Sequence, residues 1–262
     1  MKSFLSPPDK MYANTYALIS VIIAHYACGF IYYSEVFYMR AYELLKAMEL
    51  SADAYRKVQP YVPGCSLKVI DDPETDVQCY LRKRDGCLFV TFRGSNSGKD
   101  WKTNLTFRRK TIPYGNTASK IRVHSGFLEA YKYAARGVIN SSITDEIHQV
   151  KICGHSQGAA LAILCAVDLE YNFPDRDYEV MLFGSPRVGN RAFRDSYNKR
   201  VFKTMRVENG NDIVTKIPWA CMGYRHVGMG IHIGKPRIAG LISFKAHYPQ
   251  AYYKNLFKRI EL

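Results

Sequence analysis

Gly154-His155-Ser156-Gln157-Gly158 sets a serine between two glycines at the G-x-S-x-G spacing. The chemistry open to such a serine is attack on a carbonyl carbon, provided a neighbouring base takes its proton. The flanking residues give the pattern its weight. Val150–Cys153 has the composition of a strand, and Ala159–Val167 that of an apolar helix. A strand turning sharply into a helix lifts the hydroxyl clear of the sheet. It also aims the helix N-terminus, where negative charge is favoured, at the same spot. So tight a turn needs small residues at both glycine positions. The alternative is a structural turn with an inert serine.

The base and the acid of such a site follow the serine in the order Asp or Glu, then His. His226, His232 and His247 all lie far enough downstream. The first two fall in Tyr224–Ile233, which alternates like a strand, so both read as structural. His247 sits in a break between Gly240–Phe244 and a helix beginning at Pro249. A loop histidine there can reach the serine. Asp212 follows the strand-like Phe202–Glu208 in a short Asn209-Gly210-Asn211 turn, the place for a carboxylate that orients a histidine. Asp175, Asp177 and Asp195 lie in or beside charged helical surface and read as solvated.

The elements around these residues alternate. Residues 9–57 read as two helices broken near Gly29–Ser34, the second carrying Val36, Phe37, Tyr42, Leu44, Leu45, Met48 and Leu50 at helical spacing. Pro60, Pro63 and Gly64 close that region. Val77–Arg84, the turn Asp85-Gly86 and Cys87–Phe92 form a hairpin signal. The pattern predicts a helix over Gly126–Ile147, a strand over Val150–Gly154 and a helix from Ser156 to Tyr171. A strand over Glu179–Gly184, a helix over Gly189–Arg200 and a strand over Phe202–Glu208 follow. Tyr224–Ile233 reads as a strand pair or extended segment, and Pro249–Arg259 as a closing helix. Strands alternating with helices mean an α/β fold around a mostly parallel sheet. No repeat or linker divides it, so residues 1–262 read as one domain with a helical region over 1–60 packed on it.

The composition agrees with a folded core and narrows the partners. Of 262 residues, 47% are hydrophobic and 23% charged, which excludes a disordered chain. The net charge is +14, and it is uneven: residues 81–140 carry +10 and residues 201–262 carry +7, while residues 1–80 and 141–200 are slightly acidic. Such a surface suits an anionic membrane as well as nucleic acid, yet no zinc finger, RNA-recognition core or basic zipper appears, so nucleic acid is not expected. Seven cysteines without a CxxC pair read as free thiols in a reducing compartment. Near the N-terminus, Ala17–Ala24 and Cys28–Tyr33 are apolar, but His25 interrupts them and no run approaches the ~20 residues of a membrane span. A buried helix is the reading; a signal anchor or uncleaved signal is the alternative. The expected location is cytoplasmic with peripheral membrane contact, and secretion stays open.

The residues together resemble the class 3, or fungal-type, lipase family within the α/β-hydrolases. The resemblance runs from about residue 75 onward. It is carried by Phe92-Arg93-Gly94-Ser95, Asp100-Trp101-Lys102-Thr103-Asn104-Leu105, Val123-His124-Ser125-Gly126-Phe127 and the Ser156 pattern. Gly184-Ser185-Pro186-Arg187-Val188-Gly189-Asn190, Asn211–Pro218, His226-Val227-Gly228 and His247 complete it. It implies an α/β-hydrolase fold, a triad of Ser156, Asp212 and His247, and a non-catalytic His226. It implies an oxyanion hole formed by the backbone N–H of Gln157 and by Ser95, whose donors would lower the barrier to ester cleavage by a few kcal/mol. It also places a short lid over roughly Asn96–Lys110. There Trp101, Leu105 and Phe107 stand among Lys99, Lys102, Arg108, Arg109 and Lys110, a composition suited to a lipid surface, with a fixed core contact as the equal alternative for Trp101. Lys102 and Asn104 stand where the family often has apolar residues, which counts against activation at a triacylglycerol interface and strengthens the case for phospholipid or monomeric ester as the alternative.

The expected function is thus a serine carboxylester hydrolase releasing fatty acids from acylglycerols, with no metal or organic cofactor required. Phospholipase A1-type or short-chain esterase activity is the alternative. From other classes come an acyltransferase using the same triad, and a non-catalytic lipase-fold protein that binds membranes or a partner.

Overall fold

The computed structural model describes residues 40–95, 109–111, 118–236, 238 and 240–260. The chain divides into two compact units, Met1–Glu43 and Leu44–Leu262. Of the first, residues 40–43 are described and are helical. The first expected helix, residues 1–39 of the helical region over 1–60 and the lid residues Trp101, Leu105 and Phe107 lie outside the described residues.

The second unit opens with helical residues 44–53 (α1). Three strands follow: β1 (Ser66–Asp72), β2 (Val77–Arg84) and β3 (Cys87–Phe92). The β2–β3 hairpin has the boundaries its alternation and Asp85-Gly86 turn predict. The strand β1 is a structure the sequence hides: all but Ile70 of its residues are at least partly exposed, so no apolar pattern marks it. It is held as an edge by antiparallel pairing with β2.

Short strands β4 (Arg109–Thr111) and β5 (Arg122–His124) lead into α2 (Ser125–Ala130). The long helix expected over Gly126–Ile147 is not one helix. After α2 comes a π-helical turn, Tyr131–Ala135, then α3 (Arg136–Asn140). Tyr131 and Arg136, five residues apart, both reach Asp168, as a widened i→i+5 turn allows. The helix stops at Asn140 because Ser141 and Ser142 turn their hydroxyls back onto the carbonyl of Val138, at 3.0 and 2.7 Å.

The remainder alternates strand and helix: β6 (Gln149–His155), α4 (Gln157–Asn172), β7 (Asp177–Phe183), β8 (Gly189–Asn190), α5 (Arg191–Arg200) and β9 (Thr204–Asn209). Then come β10 (Tyr224–Arg225), β11 (Met229–Ile233) and α6 (Pro249–Ile260). The expected helix at Gly189 starts two residues later because Asn190 is its cap, its side chain accepting from the N–H of Phe193 at 3.0 Å.

The main sheet has seven strands in the order β1-β2-β3-β6-β7-β9-β11. From β3 onward every neighbouring pair is parallel. A small antiparallel sheet, β10-β8-β5-β4, stands apart from it. Two cores cover the two faces. Alternate residues of β7 show the division: Val180 and Leu182 enter the core built on α4, while Met181 and Phe183 enter the one built on α1 and α6. A parallel sheet covered on both faces needs apolar residues at nearly every central position. Of β7, only Asp177 and Glu179 at its beginning are not buried.

Candidate active site

Ser156 stands where β6 ends. His155 is the last residue of β6 and Gln157 the first of α4, so Ser156 alone makes the turn. Its backbone is strained, at φ 61° and ψ −128°, in a region that side-chain-bearing residues rarely occupy. The turn is held by close packing. A Cβ on Gly158 would stand 2.4 Å from the carbonyl oxygen of Phe92, and one on Gly154 would stand 2.5 Å from that of Gly158. Glycine at both positions lets the helix cross the strand ends at this distance.

His247 comes from a 3-10 turn, Lys245–His247, just before α6. Its Nε2 lies 2.8 Å from Ser156 Oγ, and its Nδ1 lies 2.9 Å from Asp212 Oδ2. The carboxylate can only accept, so Nδ1 carries the hydrogen and Nε2 presents its lone pair to the serine hydroxyl. Asp212 stands beyond the end of β9 and is fully buried. Three donors fix it: His247, the N–H of Val214 on Oδ1 at 2.9 Å, and the hydroxyl of Tyr252 on Oδ2 at 2.6 Å. The last is from α6, which therefore fastens the carboxylate that holds the histidine. Gly184, at φ +58°, directly follows β7 beneath them. A Cβ there would come within 3.0 Å of the His247 ring and 3.1 Å of Asp212 Oδ2.

Behind the histidine lies a layer the sequence reasoning missed. His155 Nε2 donates to the carbonyl of His247 at 2.7 Å, and its Nδ1 accepts the Tyr55 hydroxyl at 2.9 Å. Burial, and then the neighbouring His247, hold the His155 imidazole well below its usual pKa, so it stays neutral with this tautomer. Burial pushes the Tyr55 hydroxyl up, keeping it a donor. The signal for His155 lay in its place beside the nucleophile, since a residue there points under the site. Nothing local marked Tyr55 or Tyr252, because their roles depend on α1 and α6 packing on one face of the sheet.

Ser95 and Gln157 also meet. The Ser95 hydroxyl donates to the side-chain oxygen of Gln157. Gln157 opens α4, so its N–H has no partner within the helix. Ser95 is presented by the end of β3, where Arg93 is pinned by Asp76 at 2.6 Å and Gln78 at 2.8 Å. The other histidines are placed elsewhere. His226 lies just past β10 and its Nε2 donates to the Thr215 carbonyl at 2.7 Å. Burial, with Arg187 nearby, lowers its pKa to about 4. His232 lies within β11 and bonds the Lys235 carbonyl at 3.0 Å.

A mostly parallel sheet, with a strained serine at the end of one strand and an acid and a histidine on later loops, is the α/β-hydrolase arrangement. The family model for class 3 lipases matches residues 89–222, and the chain belongs to that family. A Rhizomucor miehei lipase is 30% identical over 210 residues, which cover 71% of this chain and 56% of that protein. A chloroplastic phospholipase A(1) of Arabidopsis thaliana is 35% identical over 156 residues, covering 53% of this chain and 34% of its own. A secreted mono- and diacylglycerol lipase of Fusarium solani is 33% identical over 144 residues, covering 53% and 41%. The chain thus spans about half the length, or less, of these relatives. The solved structure of the Rhizomucor miehei lipase propeptide complex superposes with a TM-score of 0.67 at 26% identity, over 74% of this chain and 68% of that one.

Proposed function

We propose that this chain is a lipase: a serine carboxylester hydrolase that releases fatty acids from acylglycerols through an acyl-enzyme. The observation that carries the reading is the unbroken line from Ser156 Oγ through His247 to the buried Asp212, at 2.8 and 2.9 Å. Ser156 attacks the ester carbonyl while His247 Nε2 takes its proton. Asp212 holds the ring in the tautomer that leaves Nε2 unprotonated, then stabilises the imidazolium. The backbone N–H of Gln157 and a donor from Ser95 receive the oxyanion. The alcohol leaves with the proton from His247. Water, activated by the same nitrogen, then attacks the acyl-enzyme, and the fatty acid departs as Ser156 regains its proton. No step calls for a metal or organic cofactor.

The substrate reading draws on the relatives named as lipases and as a mono- and diacylglycerol lipase. Phospholipase A1 activity is the second reading, favoured by the phospholipase A(1) relative and by the +14 charge, which suits anionic lipid. Peripheral contact with an anionic membrane belongs to either. Among the described residues no helix is long and apolar enough to cross a membrane. A reducing, cytoplasmic location is proposed from the thiols: Cys65, Cys79, Cys87, Cys153, Cys165 and Cys221 are all free.

The test is fatty-acid release from a triacylglycerol emulsion and from phospholipid vesicles, with Ser156→Ala alongside. The expected result is release by the wild type and a loss of at least about 10³-fold in the variant. Equal release by both would reject Ser156 as nucleophile. Capture of the acyl group by added alcohol in preference to water would make the chain an acyltransferase.

A further inference from the structure

Beside the candidate active site lies a concavity with no role in the mechanism above. It is a cleft of about 720 Å³ where the loop after β9, the end of β11, the 3-10 turn and α6 meet. Lys235, Lys245, Lys258 and Arg259 line it, and no carboxylate is among its described lining residues. All four cations are exposed. Arg259 is set in place by a 2.7 Å bond from Nη1 to the His232 carbonyl. The side walls are amides: Asn255 Nδ2 donates to Asn209 Oδ1 at 2.8 Å, and Asn209 Nδ2 to the Ala246 carbonyl at 2.9 Å. Four cations converging on one hollow repel one another, and an anion relieves that repulsion.

The rim says which anion. The segment that supplies Ser243 and Lys245 also carries Ile238, Leu241, Ile242 and Phe244, each 43–57% exposed. It is strapped to the acid loop, with Ser243 N–H on the Asn211 carbonyl at 2.8 Å and Ile238 N–H on Asn211 Oδ1 at 3.2 Å. A soluble phosphate gives four apolar side chains nothing to do. A lipid surface gives both sets work: the basic hollow takes the headgroup, and the apolar rim enters the boundary of the acyl chains.

We propose that this cleft is a docking site for the phosphate headgroup of an anionic phospholipid, separate from the site where an ester is cleaved. Asn211 and Ala246, which line it, are the chain neighbours of Asp212 and His247. A docked headgroup thus holds the two loops of the catalytic line against the lipid. The inference rests on the lipid-surface reading of the function. Its readout is binding alone, so a failure of docking and a failure of hydrolysis are told apart.

The experiment uses the full chain carrying Ser156→Ala, sedimented with phosphatidylcholine vesicles with and without phosphatidylglycerol. The expected result is preference for the anionic vesicles, weakened about thirtyfold or more by Lys235→Glu with Lys258→Glu, the loss due to two lysines at an anionic surface. Lys57→Glu with Lys199→Glu makes the same charge change on other exposed positions and is expected to weaken it far less. Leu241→Ser with Ile242→Ser is expected to weaken vesicle binding and leave binding of glycerol 3-phosphate unaltered. Equal loss in the two charge pairs would reduce the cleft to a share of a diffuse basic surface and overturn the proposal. So would saturable binding of inorganic phosphate with no preference among vesicles, or no binding to either vesicle.

Discussion

At the scale of single residues, the proposed catalytic line from Ser156 to Asp212 depends on side chains that stand outside it. Tyr252 and His247 share one oxygen of Asp212, so the tyrosine sets where that oxygen stands. Tyr252→Phe keeps the ring in its buried place and removes the hydroxyl. It is expected to lower kcat about tenfold with little change in KM, because an orienting contact matters most when the imidazolium forms. Steady-state kinetics on a soluble ester reads this, and an unchanged kcat would limit Tyr252 to packing. Tyr55→Phe differs. It leaves His155 Nδ1 buried without a donor, a cost of about 1–3 kcal/mol in stability. Denaturant unfolding should report that cost, with a smaller effect on kcat, since His155 holds His247 through a backbone carbonyl.

At the scale of elements, the site is a set of strand ends brought within touching distance. The elbow works only if α4 crosses β3 and β6 without side chains between them. Gly158→Ala pushes a methyl into the backbone carbonyls of Phe92, the last residue of β3, and of Arg93 just beyond it, which have little room to yield. A loss of about 3 kcal/mol or more is expected, seen as poor soluble expression or a lowered unfolding midpoint. Gly184→Ala acts further along. The left-handed φ and the nearness of the His247 ring both penalise a Cβ there. Its expected signature is a kcat loss larger than its effect on the unfolding midpoint, and wild-type turnover would show that the ring has room to shift.

At the scale of the whole molecule, the fold buries imidazoles that stay neutral. Burial lowers the pKa of His124 and of His226 to about 4 from the ordinary 6.5, and holds His155 well below it. The unfolded chain binds these protons more readily, so stability rises with pH in this window. The contribution is fully present above about pH 6.5 and is lost as the pH falls toward 4. The melting temperature should therefore drop steadily between pH 7 and pH 4.5, and His226→Gln should flatten that slope. A melting temperature that is level across this range would mean that these rings are hydrated or charged in the folded protein.

The sequence by itself determined the parts whose signals are local. The G-x-S-x-G turn, the Asp85-Gly86 hairpin, the parallel-sheet alternation and the placing of Asp212 and His247 after strand-like segments all rest on short-range constraints: a turn too tight for a side chain, or a period of apolar residues. It misjudged elements governed by partners far along the chain. The strand β1 exists because β2 offers it an edge, and the helix after Gly126 widens into a π turn where Asp168 lies on α4. Tertiary structure alone decided which side chains stand behind His247. Tyr55, His155 and Tyr252 are separated by up to 197 positions in the chain and meet because α1 and α6 cover the same face of the sheet. A hydrogen bond's direction is a property of three-dimensional placement, and no spacing in a linear chain encodes it.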